Sequence, residues 1–396
     1  MASEPSSEPQ APQPRILVVD DNDDNRYTLT LYLDLEGYTN VETAHDGEEA
    51  IAVLKQKPFD LVLLDVMMPK VDGYQVLSWM RGENLLNDLP VIMISALTEI
   101  DSIVRCIEIG ALDYLMKPFN PVLLKARITS SLEKKRMRDE INALLTRLKD
   151  ELEAARSLQL GMVPQHFPPP TPERPIEVFA KMEPAREVGG DLYDFFYCPD
   201  GTFCFLVGDV SGKGMPAALF MARTKSLIRL TAELMHDRSG AATAADIVKL
   251  VNRELCQNNN DMMFVTLFLG MLQPATGELT FCNSGHNPPY LAEAGTIAPI
   301  DGAKGVALGI DERSAYTTGR MTIAPGAAIC LYTDGVTEAA NLSNELFGEE
   351  RLEAVLREAA WGGSSALIEA VAAAVAGFVG QAEPSDDITM MAIRRA

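Results

Sequence analysis

At 396 residues the chain is long enough for two or three domains, and 47% hydrophobic with 23% charged residues is an ordinary globular composition. A formal net charge of −22 argues against a broad nucleic-acid footprint, and no uninterrupted apolar run is long enough to cross a bilayer. The six cysteines (Cys106, Cys198, Cys204, Cys256, Cys282, Cys330) show neither CxxC pairs nor framework spacing. They are expected as small apolar core residues of a reduced, cytoplasmic protein.

The first fourteen residues, MASEPSSEPQAPQP, are polar and Pro-rich without an apolar stretch, and read as a disordered tail (1–14) rather than a signal peptide. Residues 15–120 then alternate apolar runs with amphipathic stretches. RILVVD, FDLVLLD, LPVIMIS and ALDYLMKP read as buried strands, and Asn25 to Glu36 as a helix. Continuous apolar strands separated by helices predict a parallel sheet covered on both faces.

Chemistry in such a sheet sits at the carboxyl ends of the strands. Asp20 and Asp21 end the first strand, Asp65 ends a later one, and Ser95 and Lys117 follow two more, with Pro118 next. Three carboxylates can hold Mg2+, a hard cation that prefers oxygen ligands. Asp65 is the candidate nucleophile, forming an acyl phosphate. Lys117 and Ser95 would offer a charge and a hydroxyl to the phosphoryl oxygens. A single Asp at a strand end is ordinarily a cap or turn residue. Five such residues at successive strand ends point to a site instead.

VVDDNDDNR, LLDVMMPKVDG, ISA and LMKPF resemble the response-regulator receiver family, over residues 15–120. The resemblance implies a flavodoxin-like fold with a parallel five-stranded sheet. It also implies phosphorylation of Asp65 by a cognate histidine kinase or phosphotransfer protein. Mg2+ would be held by Asp20 or Asp21, by Asp65 and by the backbone carbonyl of Met67. Ser95 and Tyr114 look like the family's switch pair.

Residues 121–165 change character to one long charged helix. Ile141, Leu145, Leu148, Leu152 and Ala155 recur at spacings of four and three, an a/d stripe of roughly two heptads. Packing on one of the chain's own domains would bury that stripe, and so would a parallel coiled-coil homodimer, which is the favoured expectation. The basic cluster Lys134, Lys135, Arg136 and Arg138 is expected to be a solvated face. Pro-rich HFPPPTPERP closes the helix.

The remainder, 166–396, mixes strand-like runs (FCFLVGDV, MFVTLFLGML, ELTFCN, AAICLYTDG, ITMMAI) with helices expected at about 215–236, 242–257 and 349–379. Such a pattern predicts an α+β domain with stacked antiparallel sheets. Alanine-rich AVAAAVAGFVG is expected to be a buried helix. Acidic residues recur beside glycine in VGGDLYDFF, GDVSGKGMPAAL and YTDGVTEA, and again in PSDDITMM. A glycine there lets the backbone approach a cation while the carboxylate points at it. Four spread acidic sites suit a two-metal centre that activates water and grips a phosphoryl group for in-line displacement. No CxxxxxR or GxSxG nucleophile motif is present, which favours direct attack by water.

SLQLGMVP, VGGDLYD, GDVSGKG, NSGHNPPYL, YTDGVTEA and SDDIT, in that order, resemble the metal-dependent PPM (type 2C) Ser/Thr phosphatases, in particular the SpoIIE-type branch. The resemblance covers roughly 155–396. It implies a PPM-type sandwich and two or more Mn2+ or Mg2+. The ligands would be Asp191, Asp209, Asp334 and Asp386, with the Val210 carbonyl assisting and Asp209 bridging. Asp386 and Asp387 remain alternatives at the last position. Its implied substrate is a phosphorylated regulatory protein of the anti-sigma-factor-antagonist type. His286 reads first as a structural residue pinning a turn. Lys213 reads equally as a phosphoryl contact or a turn residue, and Glu187 and Asp194 as groups that orient water. GGDLYDFF lacks the Glu and Phe of a diguanylate-cyclase signature, and no basic recognition helix follows. The remaining alternative is a phosphatase-shaped adaptor that has lost catalysis.

Overall fold

In the computed structural model, residues 13–96, 100–118, 120–239, 242–359 and 362–396 are described. The expected tail lies outside them, apart from Gln13 and Pro14. The chain divides into two compact units, Met1–Leu148 and Lys149–Ala396.

In the first unit β1 (Ile16–Val19), α1 (Asp23–Leu35), β2 (Val41–Ala44), α2 (Gly47–Gln56) and β3 (Leu61–Asp65) are followed by α3 (Gly73–Gly82), β4 (Val91–Ser95), α4 (Ile100–Ile109) and β5 (Asp113–Met116). The strands form one parallel sheet in the order β2-β1-β3-β4-β5. Every residue of β1, β3 and β4 is buried, because helices cover both faces, as their unbroken apolar runs predict. β2 is a half-exposed edge strand with only Ala44 buried, so its VETA sequence gives no apolar run. Loop carboxylates and amides start the helices: Asn22 caps α1, and Asp72 forms a capping box with Gln75 at α3.

Helix α5 (Pro121–Met162) is continuous over 42 residues. Along it Ile141, Leu144, Leu145, Leu148 and Leu158 are all exposed. Lys135 and Arg136 are tied to acids one turn on, Asp139 and Glu140, both at 2.8 Å.

The second unit stacks two sheets. One holds β7 (Leu192–Tyr197), β8 (Phe203–Val210), β9 (Val265–Leu272), β10 (Glu278–Ser284), β13 (Lys304–Gly305) and β14 (Gly319–Thr322). The other runs β12-β11-β15-β16-β6, from β6 (Ile176–Glu183), β11 (Tyr290–Glu293), β12 (Thr296–Pro299), β15 (Ala328–Tyr332) and β16 (Ile388–Arg395). Between them lies a core in which Phe203, Phe205, Phe268 and Phe281 follow one another at ring separations of 6.0, 6.3 and 5.5 Å, against Ile329, Leu331, Met391 and Ile393. Helices α6 (Met215–Ser239) and α7 (Ala244–Cys256) cover the outer face of the first sheet. α8 (Asp334–Thr337), α9 (Gly348–Ala359) and α10 (Ser364–Val379) cover the second. This is the expected α+β sandwich. The single helix expected at 349–379 is two helices, with Gly362 and Gly363 between them and Gly363 at φ 102. The Ala-rich stretch is helical but only half-buried. All six cysteines are free thiols, and five of them are buried.

Candidate active site

The parallel sheet of the first unit gathers its acids where β1 and β3 end. Asp20, Asp21 and Asp65 can each place an oxygen within 4.8 Å of the others, with Asp20 and Asp65 buried and Asp21 exposed. Lys117 Nζ reaches Asp20 at 2.7 Å and Asp65 at 2.8 Å. Burial pushes the Asp65 carboxyl up, against the pull of Lys117. Burial also opposes the Lys117 charge, but its hydrogen bonds to both carboxylates outweigh that and raise its pKa. The backbone of Met67 hydrogen-bonds Asp65. Ser95 ends β4 fully buried, and Tyr114 packs, half-buried, beside the core under α3.

In the second unit the acids come from both sheets. Asp191 precedes β7 and Asp209 lies near the end of β8; Asp334 follows β15 and Asp386 precedes β16. Asp209 is central: it shares a hydrogen bond with Asp191 and feels the charges of Asp334 and Asp386. Burial, then the Asp334 and Asp386 charges, push its pKa up to about 7 against the pull of the Asp191 hydrogen bond. Burial and Asp209 raise Asp191 well above the carboxylate range, and burial and Asp386 raise Asp334. Like charges this close resist ionising together. The donor set is oxygen throughout, the chemistry that a hard divalent cation takes, but among the described residues only the receiver acids bring three ligand atoms within 4.8 Å of one another. The Val210 carbonyl faces Gly190 so closely that a β-carbon at Gly190 would lie 2.6 Å from it.

Asp386 and Asp387 part company. Asp387 accepts from the backbone N–H of Ala185 at 2.8 Å and of Gly190 at 2.7 Å, tying the β16 approach to the Gly189–Asp191 turn. A β-carbon at Gly335 would collide with the Asp387 carbonyl, so glycine is required there, and one at Gly189 would displace the Asp387 carboxylate from its backbone hydrogen bonds. Asp386 instead accepts from Lys213 Nζ at 3.1 Å, which also donates to the Ser385 carbonyl at 2.7 Å.

Several groups stand away from this cluster. Asp194, read from the sequence as orienting water, is fully buried and held by Lys225 at 2.8 Å and Arg229 at 3.0 Å, both on α6. Glu187 is exposed. His286 is buried; its Nδ1 meets the Thr266 hydroxyl at 2.9 Å, and its backbone exchanges hydrogen bonds with Asn283. The turn is thus pinned by the Asn283 side chain, while the His286 ring bonds Thr266 and leaves Nε2 buried without a hydrogen-bond partner. Two contacts carry no signal in a residue-type scan. Gln159 near the end of α5 donates to the Gly189 carbonyl at 2.6 Å and accepts from the Gly189 N–H at 3.1 Å. The Thr333 hydroxyl donates to Asp191 at 2.9 Å. Gln159 falls within SLQLGMVP, the one clue to it.

The match that decides the family runs over residues 199–396, to Stage II sporulation protein E (SpoIIE). The chain belongs to the SpoIIE family. Residues 16–129 match the response regulator receiver domain. Protein IcfG of Synechocystis sp. is 31% identical over 286 residues, covering 65% of this chain and 44% of that protein. A probable transcriptional regulator ycf27 of Pyropia yezoensis is 48% identical over 120 residues, 30% of this chain and 48% of that one. The chain thus spans under half the length of these curated relatives. The SiaA-PP2C domain of Pseudomonas aeruginosa has the same fold as the SpoIIE domain: TM-score 0.55 at 22% identity, covering 64% of this chain and 98% of that one. Among the described residues no helix is long and apolar enough to cross a membrane.

Within the SpoIIE domain, burial, partly offset by the Tyr332 backbone, pushes the His286 pKa down to about 4. Unfolded, a histidine titrates near ~6.5. The neutral ring's contribution is therefore intact above that value and is lost as pH falls towards 4, by about 1.4 kcal/mol per pH unit. His286→Gln should flatten the pH dependence of unfolding free energy over this window in denaturant titrations. An unchanged slope would contradict a buried, neutral His286.

Proposed function

We propose that the chain is a two-component output enzyme: its SpoIIE domain removes phosphate from phosphoserine or phosphothreonine on a regulatory protein, under control of phosphorylation at Asp65. The observation that carries this reading is that Asp191, Asp334 and Asp386, from motifs far apart in sequence and from both sheets, all lie close enough to Asp209 to bear on its charge. An adaptor that had lost catalysis would not need all four.

Two or more Mn2+ or Mg2+ would be held by Asp191, Asp209, Asp334 and Asp386 with the Val210 carbonyl; when bound they lower the pKa of water and offset phosphoryl charge. Asp209, which neighbours the other acids, would be the central ligand. Asp387 spends its oxygens on backbone N–H groups and positions the Gly189–Asp191 turn. Thr333 orients Asp191, and Lys213 restrains Asp386. In the receiver, Asp20, Asp21 and Asp65 with the Met67 carbonyl would hold Mg2+, and Lys117 stands ready for the phosphoryl oxygens of a phosphorylated Asp65. A histidine kinase or phosphotransfer protein is the donor, and the Ser95/Tyr114 pair responds. Helix α5 then carries the change, because Gln159 grips the turn that presents Asp191. The substrate we favour is an anti-sigma-factor antagonist, from the family resemblance.

Hydrolysis of p-nitrophenyl phosphate in Mn2+ tests the chemistry. Wild type should turn over only with the cation, and Asp209→Asn should lose at least about tenfold in kcat/KM. Asp386→Asn should raise the Mn2+ needed for half-maximal rate by about tenfold, whereas Asp387→Asn should chiefly lower the melting temperature. Full activity in Asp209→Asn would remove the reading.

Ile141, Leu145 and Leu148 of the a/d stripe are exposed on α5, with Leu152 and Ala155 half-buried, and this supports a homodimer through this helix. Light scattering should give twice the chain mass for wild type and a single chain mass for Leu145→Glu; a wild-type monomer at micromolar concentration would contradict it.

A further inference from the structure

Beside the carboxylate cluster the SpoIIE domain opens into a cavity of about 230 Å3. Its walls are Ala372, Ala376 and Val379 of α10, Ala339 just past α8, and Ile388 and Met390 of β16. α10 turns Leu367, Ile368, Val371 and Val375 into the core and leaves alanines one turn apart, at 372 and 376, along the cavity. Larger residues at those two positions would close it. The space exceeds the roughly 150 Å3 that accommodates a benzene ring, so an aliphatic or aromatic side chain fits.

The cavity does not stand apart from the acids. Asp386 lines it, and Asp386 also faces Asp209 and Asp334. A phosphoryl group held at the cluster therefore brings the residues next to it in sequence to the cavity mouth. Glu183 and Glu383 line the cavity too, and none of its lining residues is a lysine or arginine. A basic residue at the mouth is favoured, and an acidic one disfavoured.

We propose that this cavity receives an apolar side chain of the phosphoprotein substrate, carried on the same segment as the phosphoserine and adjoined by a basic residue. The proposal rests on the phosphatase reading above and names what that site selects. Its occupant is the substrate rather than a second copy of the chain, because Asp386 of the proposed acid set forms part of its wall.

The test uses the full chain, Mn2+ and synthetic phosphoserine peptides. In these, leucine or serine stands at each position within three residues of the phosphoserine, with or without a neighbouring arginine. Wild type should favour leucine at one position by roughly tenfold or more in kcat/KM. Ala376→Phe and Ala372→Leu, each filling the cavity, should abolish that ratio, which is internal to each variant and independent of its absolute rate. No preference in wild type, or a preference that survives both substitutions, overturns the proposal. A substitution that instead changes the oligomeric state in light scattering assigns the cavity to self-association and also overturns it. Absence of p-nitrophenyl phosphate turnover in wild type strikes the phosphatase reading itself. Fluorescence anisotropy of the labelled peptides then judges the cavity alone: the leucine peptide should bind wild type and lose at least about tenfold in affinity with Ala376→Phe.

Discussion

Each unit collects carboxylates at sheet ends, and carboxylates this close push one another towards the protonated form. In the SpoIIE domain Asp209 sits within reach of four other acids, Asp191, Asp334, Asp386 and Asp387, and is raised to about 7, chiefly by burial. Such a cluster costs stability, and the surrounding structure is arranged to keep it. The Gly189–Gly190 turn is glycine because the Asp387 carboxylate and the Val210 carbonyl occupy the space of a side chain. Thr333 and Lys213 each bond one of the acids. In the receiver, Lys117 supplies the same compensation to Asp20 and Asp65. Bound cations would offset the remaining charge, and the proposed chemistry requires them.

Much of the architecture was legible because burial writes itself as periodicity. β1, β3 and β4 are covered on both faces and appear as unbroken apolar runs, while β8 and β9 stand in the middle of a sandwich sheet. Edge and short strands such as β2 and β12 were not legible, since they are half-exposed and leave few apolar residues to read. The break between α9 and α10 was written in Gly362 and Gly363 but hidden by helical composition on both sides.

The candidate acids were legible as residue types beside glycine, but their division of labour was not. Asp386 and Asp387 are adjacent in sequence and differ in their hydrogen bonds, Asp386 accepting from Lys213 and Asp387 from two backbone N–H groups, while both bear on the charge of Asp209. Asp194 lies three residues after Asp191 yet points into α6, because alternate positions of a strand face opposite sides. Gln159 and Thr333 are distant in sequence from the groups they hold, and although SLQLGMVP and YTDGVTEA contain them, neither motif says which group each one bonds.

Gln159 gives the two-domain arrangement its mechanical sense on the proposed reading. A long helix ends by gripping the backbone of the turn that carries Asp191, so a rotation or shift of that helix acts directly on a carboxylate of the cluster. Control can then work on the population of competent sites rather than on any catalytic group. The measurement that tests this most directly is p-nitrophenyl phosphate hydrolysis in Mn2+ with and without beryllofluoride, in wild type, Asp65→Asn and Gln159→Leu. The account predicts that beryllofluoride changes the wild-type rate by at least about fivefold, the range of an ordinary allosteric coupling, and leaves both variants unmoved. An equal response in wild type and Gln159→Leu would contradict the route through the helix, and no response in wild type would contradict control by the receiver.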